Sequence, residues 1–298
     1  MRIRTIPIIC HTDSLKTLFP IKVIIDHMRI LSISTLFFLL ATTCVAPIKA
    51  YAQSGPWFKS QDMDARLIAG SGNQAALQIK LAEGWHTYWR IPGDSGLPPV
   101  LSWAQSENIE SVDILWPAPS RKKEYEFNTF GYDGLLTLPL VLNKKDDAQQ
   151  TKLDLNAQIM ICNEICIPQR FEAKLDLDEN ADVSKEDLTI KAAKEKVPQE
   201  TSQSLAIKSV IAAKDSIVVT VISQNGFDDI DVFPVIEEDY TALTLPAKIE
   251  VSEHDENQAM LRVDKGGEFE NLARELQNKT LSVIVTQGET AVKQSVQY

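Results

Sequence analysis

Met160-Ile161-Cys162-Asn163-Glu164-Ile165-Cys166-Ile167-Pro168-Gln169 joins two apolar runs, and its two cysteines stand four positions apart. Along a straight strand that spacing separates the alpha carbons by roughly 13 Å, beyond the roughly 7 Å a disulfide tolerates. A bonded pair therefore requires the chain to reverse over Asn163-Glu164-Ile165. A three-residue hairpin loop does this and sets the sulfurs across from each other on adjacent strands. The flanks agree. Residues 153–161 read as a strong strand leading to Cys162, and residues 167–177 lead away with Phe171, Ala173, Leu175 and Leu177 on one face.

Outward from this hairpin the chain keeps returning to short alternating segments. Residues 64–82 read as two strands with a turn at Gly72-Asn73, and 100–103, 109–116 and 135–142 as three more. Trp116-Pro117-Ala118-Pro119 stops one of them, because proline cannot donate to a ladder. In Gly84-Trp85-His86-Thr87-Tyr88-Trp89-Arg90, a strand puts Trp85, Thr87 and Trp89 on one face and His86, Tyr88 and Arg90 on the other. The tryptophans are expected in a core, and His86 is expected to be structural or exposed, with no second histidine nearby to share a metal. Residues 121–134 alternate poorly and are read as a long loop. Its four aromatics, Tyr125, Phe127, Phe130 and Tyr132, either cover something outside the core or fold back onto it.

Residues 178–203 turn acidic and then Lys/Ala/Glu-rich, and are read as a linker with a helix of about three turns capped by Ser184 and a solvated charge run. Alternation resumes at 206–213, 216–223, 230–235, 247–251, 259–263 and 281–286, with one helical stretch at 268–278. The expected fold is all-β: an immunoglobulin-like β-sandwich over residues 53–180, a linker over 181–203, and a smaller β-sandwich with one helix over 204–298.

The 298 residues are 44% hydrophobic with a net charge of −11. An acidic surface repels nucleic acid, so no nucleic-acid partner is expected. Mean hydropathy of −0.12 excludes a polytopic membrane protein. No phosphate-binding glycine loop, zinc-type array or nucleophile elbow is present, and neither a cofactor nor a metal is expected at the cysteine pair. Residues 28–52 read as a secretory signal: a start methionine, Arg29, an apolar core too short for a comfortable membrane span, and Ala50-Tyr51-Ala52 before the cleavage site. Translation is expected to begin at Met28 and cleavage to follow Ala52, placing the protein in the periplasm. That removes Cys10 and Cys44 and leaves Cys162 and Cys166 in an oxidising compartment.

Three uses of the pair compete. A structural staple closing five residues is worth roughly 2 kcal/mol, against about 4–5 for a bridge closing a hundred. A sandwich above a hundred residues has core enough to stand without it, so this is a weak reason to keep the bond. A copper(I) site of Met160, Cys162 and Cys166 lacks a third strong ligand. Thiol–disulfide exchange suits a small, accessible hairpin ring and is the reading the residues favour, although Glu164 is acidic and only Arg170 is basic nearby. A non-catalytic binding module with an inert bridge stays open.

Four stretches in order carry a resemblance: residues 84–96, Trp116-Pro117-Ala118-Pro119, Gly131-Tyr132-Asp133-Gly134 with Leu136-Thr137-Leu138-Pro139-Leu140, and Cys162-Asn163-Glu164-Ile165-Cys166-Ile167-Pro168. Together they resemble the N-terminal periplasmic domain of the thiol:disulfide interchange protein DsbD and its copper-sensitivity relative ScsB, over about residues 57–180. The resemblance implies an immunoglobulin-like sandwich with the pair near one end, under a mobile cap loop that by position is residues 125–132. It implies a domain that takes electrons from a membrane-embedded partner through a thioredoxin-like domain and reduces periplasmic disulfide-containing proteins. Cys166 would form the mixed disulfides and Cys162 would resolve them. The best-known members space the cysteines more widely and continue into transmembrane and thioredoxin-like domains. Here the chain ends at Tyr298, so a thioredoxin-like or membrane-embedded thiol donor is expected to act in trans.

Overall fold

The computed structural model describes residues 53–177, 183–267 and 269–298. The expected signal segment, residues 28–52, lies outside the described residues.

The first sandwich comprises β1 (Phe58–Lys59), β2 (Met63–Ala69), β3 (Gln74–Leu81), β4 (His86–Gly93), β5 (Val100–Ser102), β6 (Ile109–Ile114), β7 (Ser120–Glu124), β8 (Phe127–Asp133), β9 (Leu135–Lys144), β10 (Lys152–Cys162) and β11 (Cys166–Asp176). One sheet runs β1-β2-β3-β9-β6, the other β11-β10-β4-β8-β7 with β5 beside β10. All neighbours are antiparallel, so each strand turns one face to the core. On β10, Leu153, Leu155, Ala157, Ile159 and Ile161 are buried, and Phe171, Ala173 and Leu175 of β11 meet them. Each such side chain contributes about 1.5–3 kcal/mol by leaving water, alanine less. This is the immunoglobulin-like, all-β architecture expected.

The second sandwich pairs β12 (Leu205–Ala212), β13 (Ser216–Ser223), β17 (Gln258–Asp264) and β16 (Lys248–Val251) in one sheet. β15 (Thr241–Ala242), β14 (Ile230–Ile236), β18 (Thr280–Gln287) and β19 (Thr290–Gln297) form the other. Its helix, α2 (Leu272–Glu275), is a single turn whose Asn271 side chain accepts from the Arg274 amide. The apolar spacing at 268–278 predicts a longer helix. Burying Leu272 and Leu276 takes only one turn and its cap.

Two linker expectations are corrected. The α1 helix (Ser184–Glu195) has the expected length, but its N-cap is Val183 and Ser184 is already helical. Its charges are also not simply solvated. Asp187 accepts from the Ser71 amide, Lys194 donates to Gln74, and Ile190 packs on Ile68 and Ala76 of the first sandwich. The acidic and basic side chains thus tie the helix to the turn between β2 and β3.

The expected loop at 121–134 is likewise a hairpin, with β7 and β8 joined by Tyr125-Glu126 and Tyr125 at φ 53°. Gly131 breaks the apolar alternation on β8. A side chain there would sit 2.1 Å from the Thr87 carbonyl oxygen, so the close approach of β4 excludes one.

The two sandwiches share a core. Phe233, Val235, Ala242 and Ile284 of the second join Trp89, Phe130 and Tyr132 of the first. Phe130 and Phe233 meet edge to face at 5.0 Å, and the Arg121 guanidinium lies over both rings. Arg121 also pairs with Asp231 and donates to the Thr244 and Val232 carbonyls. Arg90 grips Glu237 with two bonds, of 2.9 and 3.0 Å.

Burial pushes the Glu237 carboxyl up, but hydrogen bonds from Arg90 and Ser282 and the charges of Arg90 and Lys293 outweigh it and hold the group below its ordinary 4.5. A depressed folded-state value contributes stability above the unfolded one, lost as pH falls through the folded one. Glu237→Gln is therefore expected to cost about 1 kcal/mol at pH 7, the upper range for a partly exposed pair. In denaturant melts against pH, the two proteins should converge below 4.5. A constant gap down to pH 2 would contradict the pair's role.

Candidate functional site

The β10–β11 ladder is in register through its last pair, Cys162 opposite Cys166, and the chain reverses over Asn163-Glu164-Ile165 with an Asn163 amide bond to the Ile165 carbonyl. The sulfurs are joined, with alpha carbons 4.1 Å apart. The expected three-residue hairpin is thus present.

Parity puts this bond on the outer face of its sheet. Ile161 and Ile167 point inward, so Cys162 and Cys166 point out. Even so, Cys162 is 1% exposed, whereas Cys166 is open to solvent. The difference comes from β4 and β7. Cys162 pairs with His86 across the ladder, and two residues on, Tyr88 leans over the bond with its Oη 3.0 Å from Cys162 Sγ and 3.8 Å from Cys166 Sγ. Beyond it Glu124 Oε2 lies 3.3 Å from Tyr88 Oη, and Glu124 Oε1 accepts from the Thr129 hydroxyl at 2.5 Å. His86 Nε2 is 2.9 Å from Oε1, close enough for an ion pair when the ring is protonated but off the line of a hydrogen bond. Burial, then the charge of Glu124 and its hydrogen bond, push the Tyr88 hydroxyl up to about 12, so it is a phenol throughout the neutral range.

The glycine-rich stretch after β4 seats this tyrosine. Gly96 adopts φ 94°, and a side chain there would come within 2.3–2.5 Å of the Tyr88 ring. Only glycine lets the loop lie flat on the ring. Asp94 in the same loop accepts from the Asn128 amide and ties it to β8.

The four aromatics at 125–132 part company. Phe130 and Tyr132 are buried on the core face of β8, opposite the disulfide. Tyr132 donates to the Pro117 carbonyl at 2.8 Å, so two of the resembling stretches meet there. Neither residue covers the cysteines, which corrects their expected place in a cap. The reason is parity: Tyr132 stands opposite Thr87, an inward residue, while Gly131 stands opposite Tyr88. Tyr125 and Phe127 remain exposed at the hairpin tip. His86, expected as structural or exposed, and Tyr88 and Glu124, not singled out by sequence, line the site instead. The available signal was the position of His86 and Tyr88 opposite the tryptophans on β4. Glu124 had none, since it arrives on a hairpin read as a loop.

Among the described residues no group of histidine, cysteine and carboxylate side chains is arranged to hold a metal. A cleft of about 770 Å³ between the sandwiches and α1 is lined by Pro117, Leu135, Leu188 and Phe233 among others, and neither cysteine reaches it.

Residues 58–177 match the family model for the N-terminal domain of the thiol:disulfide interchange protein DsbD. Over those residues the chain is similar to a DsbD-type N-terminal domain. Residues 196–298 match a family described as a domain of unknown function. Among solved structures, the N-terminal periplasmic domain of ScsB from Proteus mirabilis is 21% identical with a TM-score of 0.63. That match covers 82% of this chain and 98% of that one, so the fold likeness extends beyond residues 58–177. A marsupial T cell receptor also aligns, at 9% identity over 80% of this chain and 98% of that one, with a TM-score of 0.23. No curated protein matches the chain. Among the described residues no helix is long and apolar enough to cross a membrane.

Proposed function

We propose that this chain relays reducing equivalents by thiol–disulfide exchange through Cys162 and Cys166 in the periplasm. A thioredoxin-like or membrane-embedded thiol supplies electrons in trans, and periplasmic disulfide-containing proteins receive them. The observation that supports this most is the asymmetry of the pair: Cys166 is an exposed residue and Cys162 a buried one. Exchange runs through a mixed disulfide, and its rate depends on which sulfur an incoming thiolate can reach, so unequal access directs attack to one of the two. An inert bridge has no need of that division. The similarity to a DsbD-type domain around the pair supports the same reading. Cys166 is the sulfur attacked by the donor and the nucleophile toward the target, and Cys162 resolves.

Equilibration with glutathione buffers tests the proposal. A relay predicts a reduction potential above about −300 mV, in the range of exchange proteins, whereas a value well below it marks a bond that cellular thiols leave alone. The lower value would sink the relay.

A further inference from the structure

The outer face of the β11-β10-β4-β8-β7 sheet holds a buried polar chain for which a disulfide has no use. A bonded sulfur is a weak acceptor, and covering it with a phenol and a carboxylate costs more than covering it with apolar side chains. A thiol is different. When the pair is reduced, the enclosed Cys162 has no water to take its proton, and burial opposes the thiolate that must attack.

We propose that Tyr88 and Glu124 form the proton path of Cys162, an inference that rests on the relay reading above. The step begins from a mixed disulfide between Cys166 and a partner. The Cys162 thiol gives its proton to Tyr88 Oη while the Tyr88 hydroxyl passes its own to Glu124 Oε2. The freed electron pair on Cys162 Sγ attacks Cys166 Sγ. The bond between Cys162 and Cys166 forms, the bond from Cys166 to the partner's sulfur breaks, and the partner leaves as a thiolate. Two electrons have moved from the cysteine pair to the partner, and the proton rests on Glu124, whose side chain is 23% exposed and can return it to water.

The geometry assigns distinct parts. Tyr88 touches the reacting sulfur and is the catalytic group. Its hydroxyl, held up to about 12, stays protonated through the neutral range. Glu124, His86 and Thr129 are positioning residues that act through it. Other ionisable groups around Glu124 are already engaged: Lys122 on its own strand pairs with Asp133 on β8, which stands opposite His86, and Asp94 holds the Asn128 amide. Lys123 donates to the Glu126 carbonyl, and Glu164 is exposed at the cysteine hairpin.

The two chemical steps can be timed separately. Reduced protein mixed with dithiobis(nitrobenzoate) releases one coloured thiolate when Cys166 attacks and a second when Cys162 displaces the adduct. Tyr88→Phe and Glu124→Gln are expected to lower the ratio of second to first rate by about tenfold or more, the low end for loss of a positioned proton acceptor. In Glu124→Gln the remaining second rate should climb in proportion to hydroxide. Should Tyr88→Phe fail to fold, the more exposed Glu124→Gln carries the test. Wild-type ratios and pH profiles in the variants overturn the proton path alone. A native protein that releases fewer than two thiolates overturns the relay and the path with it.

Discussion

Cys166→Ser is expected to abolish disulfide exchange, and Cys162→Ser to keep its first half. The prediction follows from burial, because the two thiols have the same chemistry. Cys166 starts β11 in the open, and a bulky disulfide can approach it along the free side of the hairpin. Cys162 ends β10 under Tyr88, with His86 beside it. For an outside reagent to reach it, β4 and the β7–β8 hairpin must open locally. An opening of about 3 kcal/mol slows reaction roughly a hundredfold. Reduced Cys162→Ser should therefore react with a glutathione-sized disulfide at near the native first-step rate and stop at a stable mixed disulfide. Reduced Cys166→Ser should be roughly a hundredfold slower. Mass spectrometry of quenched time points reads both. Equal rates would show that the enclosure is not maintained in the reduced protein, and the assignment of attacking and resolving sulfurs would fall.

Phe130→Ala is expected to cost about 3–5 kcal/mol, the range for deleting a fully buried aromatic. Phe130 is 0% exposed and sits between Trp89 of its own sandwich and Phe233 of the other. Truncation opens a void on both sides of the interface and takes a ring from beneath Arg121, whose bonds to Asp231 and the Thr244 and Val232 carbonyls join the sandwiches. The loss should appear in the urea midpoint, together with easier proteolysis near residues 197–204. Tyr125→Ala, at the exposed tip of the same hairpin, should stay within about 0.5 kcal/mol of native. A Phe130→Ala protein as stable as Tyr125→Ala would restore the idea that both residues belong to a detachable cover.

These predictions divide along what the chain shows by itself. Phe171, Ala173 and Leu175 declare their face through strict alternation, and the structure buries all three. The cysteine hairpin was legible for a harder reason: bonding two residues four apart leaves the backbone one course, a reversal. Phe130 illustrates the opposite case. Residues 125–132 mix aromatic and polar side chains with Gly131, so no alternation announces β8, and an aromatic there can be assigned to core or cover with equal ease. The strand becomes visible only when Thr87 and Tyr88 stand opposite Tyr132 and Gly131. Likewise β19 adds its apolar Ala291 and Val292 to a segment too polar to read as a strand, and it pairs fully with β18.

Short-range chemistry suffices for strand character, turn positions and the neighbourhood of two sulfurs, because each depends on residues only a few apart. Which sulfur is enclosed, that Glu124 reaches Tyr88, and that Phe233 completes the first core are decided by pairings between residues 36 to 147 apart, as the Tyr88–Glu124 and Arg90–Glu237 contacts measure. A pleated strand has two faces, and only its partner strands determine which one is buried and against what.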